Sequence, residues 1–152
     1  KIFFPALKGT LLDSNNKKIR FLTELQDKIH VDNLELINTR VENIRNERLN
    51  YYDVVTARAV TNMSVLTELA MPLVKINGYF IAMKGSNEEE IEDGKFAIAK
   101  MHGIVEKINK FSLSKEAGMR NIVKVQKEKE TLSTELRPYE KIIKKPLQKV
   151  NK

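Results

Sequence analysis

Short apolar runs alternate with amphipathic segments along most of this chain, and this alternation restricts its fold more than any other feature. Adjacent parallel strands need long crossover connections, which are usually helices. The alternation therefore predicts an α/β fold with a mostly parallel sheet and helices on both faces. The pattern predicts strands at 8–13, 34–38, 52–57, 78–83, 104–113 and 121–127, and helices at 16–30, 64–74 and 88–101.

The first residues, Lys1-Ile2-Phe3-Phe4-Pro5, have the pattern of a helix that ends at a proline. A nucleotide-binding sheet usually begins with a strand and a glycine-rich loop, and neither precedes this helix end. We therefore expect a sheet that lacks its first strand, with further sequence upstream. The longest apolar runs are too short to span a bilayer, so we expect no membrane partner.

The chain has no cysteine, which excludes disulfides and thiolate metal sites and fits a reducing cytosol. Its net charge of +7 is uneven, because residues 115–152 carry 11 Lys/Arg against 5 Asp/Glu. We divide the chain into a domain at 1–127 and a basic, mostly irregular tail at 128–152. Such a tail suits a phosphate-rich partner, but it is also typical of a solvated lysine-rich end.

Candidate binding residues lie at the predicted carboxyl ends of the strands, where open α/β sheets bind ligands. Asp13 suits the two hydroxyls of a ribose, or it caps the helix from Asn16 onward. The backbone N–H of Val41 and the carboxylate of Glu42 suit an adenine edge. The alternative for Glu42 is a solvated loop position.

Two cations occupy the next strand ends. Arg58 suits a carboxylate or phosphate through a bidentate fork, or it forms an ion pair with a neighbour such as Glu68. Lys84 suits an RNA phosphate, or it is an ordinary strand-end lysine. His30 and His102 lie at predicted helix ends, and the sequence contains no metalloprotease or nucleophile-elbow motif.

Several segments, in order and at similar spacing, resemble the bacterial small-subunit ribosomal RNA guanine-N7 methyltransferases, the family of glucose-inhibited division protein B. The resemblance covers roughly residues 1–127. It rests on Thr10–Leu22, Arg40-Val41-Glu42, Val55–Val60, Pro72-Leu73-Val74, Gly78–Gly85 and Arg120-Asn121-Ile122.

The resemblance implies a class I methyltransferase fold, a Rossmann-like three-layer sandwich, here without its first strand and glycine-rich loop. It implies S-adenosylmethionine as cofactor, with contacts at Asp13, Val41, Glu42 and Arg58. It also implies 16S ribosomal RNA or the small ribosomal subunit as partner, with RNA contacts at Lys84 and Arg120. A cytoplasmic monomer is expected, and residues 1–152 alone are expected to be weakly active or inactive.

The sequence departs from the family at two places. Alanine is more usual in the family where Val41 stands, and the basic C-terminal motif of the family is only partly matched by residues 137–147. The alternatives are a non-catalytic RNA-binding domain with a degenerate methyltransferase fold and a nicotinamide-dependent Rossmann oxidoreductase. Binding of S-adenosylmethionine would distinguish the methyltransferase from the first alternative. The glycine pattern of the upstream sequence would distinguish it from the second.

Overall fold

The computed structural model describes residues 3–58, 60–112 and 118–149. The chain divides into two compact units, Lys1–Ile44 and Arg45–Lys152. Each unit contains parallel strands that are joined by helices, as the alternating sequence predicts. No helix within the described ranges is both long and apolar enough to cross a membrane.

The first unit is a βαβ arrangement followed by one helical turn. Its elements are β1 (Gly9–Asp13), α1 (Asn16–Ile29), β2 (Leu34–Asn38) and α2 (Val41–Ile44). The two strands pair in parallel, with Asp13 opposite Asn38. Helix α1 begins where the side chain of Asn15 accepts the backbone N–H groups of Lys17 and Lys18. It ends at His30, whose φ of 50° is left-handed.

The second unit contains a four-stranded sheet in the order β3-β4-β6-β5. Strands β3 and β4 are parallel, and β6 is antiparallel to both β4 and β5. Three of the four strands therefore run in one direction, which confirms the predicted, mostly parallel sheet. The elements of this unit are β3 (Tyr52–Arg58), α3 (Met63–Ala70), β4 (Val74–Lys84), α4 (Glu88–Lys100), β5 (Gly103–Ser112), β6 (Met119–Lys127) and α5 (Tyr139–Lys144).

The core of the second unit lies between helices α3 and α4 and one face of this sheet. Alternate residues of β4 and β6, including Phe80, Ala82, Val123 and Val125, are fully buried there. Every residue of α3 is buried, which agrees with its nearly continuous apolar sequence. The two helices approach closely at Gly94, where an added Cβ would overlap the side chain of Met63.

Several predicted boundaries differ from the structure. The helix predicted at 64–74 is α3 followed by a 3-10 turn at Met71–Leu73, because Pro72 cannot donate the backbone hydrogen bond that an α-helix needs. Asn62 caps α3 by accepting the N–H of Val65, so the helix begins at Met63, one residue before the predicted start. Strand β4 starts at Val74, four residues before the predicted Gly78. The predicted loop that follows β2 contains α2.

The basic segment after Lys127 is more ordered than its composition suggested. It contains a 3-10 turn at Ser133–Glu135 and helix α5, whose Ile142 is fully buried. The many lysines and the prolines of this segment are typical of an irregular tail. They outnumber the few apolar and charged residues that attach the segment to the second unit, so the composition did not indicate this order. The division of the chain at residues 127 and 128 stays a prediction.

Candidate functional site

Asp13 lies at the carboxyl end of β1 and is held as an ionised acceptor. Its Oδ1 accepts the backbone N–H of Asn15 at 2.8 Å, and Lys18 Nζ lies 3.1 Å from its Oδ2. The Asn15 N–H, followed by Lys18, holds the pKa of Asp13 below its usual range. The sequence allowed Asp13 as the cap of α1, but the N-cap of this helix is Asn15.

Val41 and Glu42 form the first turn of α2, shortly after β2 ends. The Glu42 side chain is largely buried, and its Oε1 lies 3.1 Å from the Nε of Arg40. The alternative interpretation, a solvated loop glutamate, is therefore wrong. The ion pair with Arg40 holds the side chain of Glu42 in the first turn of α2.

The parallel pairing of β1 with β2 brings these predicted contacts to one edge of the first unit. Asp13 and Asn38 face each other in the last register pair, and the Asn38 amide donates to the Asp13 carbonyl at 3.0 Å. The segment that carries Val41 and Glu42 starts three residues beyond Asn38. The edge thus presents carboxylate acceptors that suit hydroxyl and amino groups.

Arg58 is the last residue of β3 and is exposed. It pairs with Met83 of the neighbouring strand, so the ladder fixes its backbone. Glu68, which the sequence offered as its ion-pair partner, instead accepts a hydrogen bond from Arg137 at 2.7 Å. No ion pair involves Arg58 among the residues that the structure describes, which leaves its guanidinium available to an anionic ligand.

The two predicted RNA contacts differ in accessibility. Lys84 Nζ donates to the carbonyl of Thr61 at 2.7 Å and lies 2.5 Å from Oε1 of Glu90. Its side chain is only 9% exposed, so it does not project into solvent as a strand-end lysine would. Arg120 lies on β6, partly exposed, and donates to the Met119 carbonyl at 2.9 Å.

Sequence reasoning missed the partners of these residues. The sequence places Glu90 only within the helix predicted at 88–101, and Asn121 only within the motif Arg120-Asn121-Ile122. The structure shows that the Asn121 amide donates to the carbonyl of Gly85 at 2.7 Å. Lys84 ends β4, and Glu90 lies in the first turn of the helix that follows it in the sequence. This short distance along the chain is the one signal that could have indicated their contact.

Comparison with known proteins gives a consistent family match. The profile of rRNA small subunit methyltransferase G (GidB) matches residues 1–143. The chain is 44% identical over 135 residues to ribosomal RNA small subunit methyltransferase G of Staphylococcus carnosus, and the match covers 86% of this chain and 56% of that protein. It is 47% identical over 134 residues to the protein of the same name from Oceanobacillus iheyensis, with the same coverage. The chain thus spans about half the length of these relatives.

Solved structures support the fold. A 16S rRNA adenine-N1 methyltransferase from Catenulisporales acidiphilia superposes with a TM-score of 0.71 at 10% identity, covering 86% of this chain and 78% of that one. An rRNA methylase from Streptococcus thermophilus gives a TM-score of 0.63 at 13% identity, covering 84% and 78%. At these identities the likeness concerns architecture alone, and it confirms the predicted class I methyltransferase fold.

Proposed function

The chain belongs to the rRNA small subunit methyltransferase G family, and from this premise we propose that it takes part in methylating N7 of a guanine in 16S ribosomal RNA. The observation that carries the proposal is the family match, which extends over residues 1–143. It agrees with the sequence motifs at the carboxyl ends of β1, β3 and β4. In open α/β sheets the carboxyl ends of the strands are where ligands bind.

The residues of the first unit fit the adenosine part of S-adenosylmethionine. Asp13 is ionised and can accept hydrogen bonds from ribose hydroxyls, although it already accepts from Asn15 and Lys18. Glu42 can accept from the adenine amino group, and the backbone N–H of Val41 can donate to a ring nitrogen. We propose these three residues as cofactor contacts on the first unit.

Arg58 is the proposed cofactor contact on the second unit. Its exposed guanidinium suits a carboxylate group such as that of the methionine part of the cofactor. The fixed backbone at the end of β3 lowers the conformational cost of holding such a group. The expectation that residues 1–152 alone transfer weakly stays a prediction.

The reaction needs orientation rather than a general base. S-adenosylmethionine supplies, when bound, an electrophilic methyl group on a sulfonium centre. Guanine N7 carries a free lone pair and no proton, so no side chain has to remove a proton before N7 attacks. The residues of the chain would contribute by holding and aligning the two reactants. The carboxylates of Asp13 and Glu42 favour a cationic ligand nearby.

The basic character of the second unit supports RNA as the substrate. Arg120 is partly exposed on β6, and we retain it as a proposed phosphate contact. Lys84 is enclosed and neutralised by Glu90, which argues against a direct phosphate contact. A monomer acting on ribosomal RNA in the cytoplasm is the proposed setting.

Methyl transfer to small ribosomal subunits tests the proposal. The full-length protein and labelled S-adenosylmethionine are incubated with subunits that lack the modification. Label should appear at a single guanine, and the modified strand should become cleavable at that base, as N7-methylguanine is after reduction and treatment with aniline. An absence of transfer, or label on another base atom, would refute the assignment.

A further inference from the structure

Lys84 is enclosed at the end of β4, on the face of the sheet that α3 and α4 cover. It follows Phe80 and Ala82 at alternating positions, and both are fully buried on that face. Its ammonium donates to the Thr61 carbonyl at 2.7 Å and pairs with Glu90 at 2.5 Å. Both contacts that the structure shows for this ammonium are therefore made within the protein.

These partners belong to two different segments, each of which follows one of two neighbouring strands. Thr61 lies between β3 and α3, whereas Glu90 lies in the first turn of α4, just beyond β4. Because β3 and β4 are parallel neighbours, with Arg58 opposite Met83, both segments follow the strands at the same edge of the sheet. A single ammonium therefore joins the two segments that border this edge.

The end of β4 is itself held firmly. Lys84 pairs with Asn121 of β6 in the ladder, and the buried Asn121 amide donates to the carbonyl of Gly85 at 2.7 Å. Arg58 is likewise fixed by its ladder pairing with Met83. The connection around Thr61 lies beyond the ladder, and the Lys84 ammonium ties it to this rigid support.

We propose that Lys84 is a positioning residue for methyl transfer, which holds the connection around Thr61 in place for the methyl acceptor and contacts neither RNA nor cofactor. This inference rests on the proposed function. A hydrogen bond from a charged donor is stronger than one between neutral groups, so its loss should be measurable. Losing the tie frees the Thr61 connection but leaves Arg58 in its strand, so the effect falls on the transfer step rather than on cofactor affinity.

The experiment uses the full-length protein and three variants: Lys84→Met, Glu90→Gln and the double variant. The double variant removes both charges of the pair, so it leaves neither one unpaired. Lys75→Met is the matched control, because Lys75 lies on the same strand and pairs with Asp53 but is 46% exposed. We expect Lys84→Met to lower kcat about tenfold or more, while the KM for ribosomal subunits and the Kd for S-adenosylmethionine change less than about twofold. Glu90→Gln should lower kcat in the same direction, and the double variant should be no worse than Lys84→Met.

Backbone hydrogen exchange provides a readout that does not depend on activity. The amides around Thr61 should exchange faster in Lys84→Met than in Lys75→Met, even if the wild-type protein transfers no methyl group. Failure of the proposed function would then appear as an inactive wild type with this exchange difference intact.

Three results would overturn the positioning role. The first is a kcat for Lys84→Met equal to that of the Lys75→Met control. The second is a rise in KM for ribosomal subunits at unchanged kcat, which would restore Lys84 as an RNA contact. The third is unchanged exchange around Thr61, which would show that the lysine does not hold this connection.

Discussion

Replacing Arg137 by alanine tests how the basic C-terminal segment is attached to the second unit. Its guanidinium Nη1 donates to Oε2 of Glu68 at 2.7 Å, and its Nη2 donates to the carbonyls of Lys141 and Lys145. Glu68 lies on α3, and its side chain is 2% exposed. Its other oxygen accepts the backbone N–H of Leu147 at 2.9 Å. One carboxylate thus binds the segment on both sides of α5.

The substitution leaves this carboxylate buried without its main counter-charge. Breaking a buried ion pair by removing one partner costs about 3–5 kcal/mol. Domains of this size have a free energy of unfolding of about 5–15 kcal/mol, so the loss is a large share of the total. The midpoint of thermal unfolding should fall by roughly 10 °C.

The defect should depend on pH in a defined direction. Burial raises the pKa of Glu68, although the Leu147 N–H and Arg137 oppose that shift. The folded state of the variant therefore binds a proton more tightly than the unfolded chain does. Stability should then increase as the pH falls through the raised pKa, and the difference from wild type should shrink in mild acid.

Urea unfolding followed by circular dichroism measures the loss. The double variant Glu68→Gln/Arg137→Ala removes both charges, so it should be more stable than Arg137→Ala alone. Arg120→Ala, which removes a partly exposed arginine, is the control. A loss below about 1 kcal/mol for Arg137→Ala would refute the reasoning, because it would place the pair among exposed ion pairs of little effect.

Three further substitutions give separate tests. Arg58→Ala should raise the Kd for S-adenosylmethionine about 10- to 100-fold by calorimetry, whereas Lys75→Ala should leave it unchanged; equal affinities would contradict the assignment. Gly94→Ala should lower the free energy of unfolding in urea by about 1–3 kcal/mol through the clash with Met63, despite the higher helix propensity of alanine, and a more stable variant would contradict the packing argument. Burial lowers the pKa of Lys127 to about 8 in the folded state, against 10.5 ordinarily, so stability should rise with pH between these values. Lys127→Met should lack that rise of about 3 kcal/mol, and parallel pH profiles for the two proteins would contradict it.

The sheet and its helices could be predicted because they follow from local patterns. Continuous apolar runs at β3 and β4, and the caps and charges around α1 and α4, specify the elements without reference to the rest of the chain. The end of α3 was harder to predict, since a 3-10 turn and an α-helix differ by a few hydrogen bonds around Pro72.

Contacts between distant residues account for what the sequence did not show. The sequence suggested Glu68 as a nearby ion-pair partner for Arg58. In the structure Glu68 instead pairs with Arg137, which is 69 residues away in the chain. Lys127 is fully buried, and its Nζ donates to Asn50, Met71 and Thr131 at 2.8 Å each. No periodicity marks such a lysine, because its partners are carbonyl and hydroxyl oxygens from separate segments.

The position of β6 between β4 and β5 has a consequence for the order of synthesis. β4 and β5 precede β6 in the chain, yet each pairs with β6 rather than with the other. In a growing polypeptide that has reached only the end of β5, one edge of β4 and the whole of β5 are therefore unpaired, and unpaired strand edges are sites of misassociation. Chains that stop at residue 118 should be cleaved rapidly by protease where complete chains resist. The last strand thus makes closure of the second unit a late event in the production of this protein.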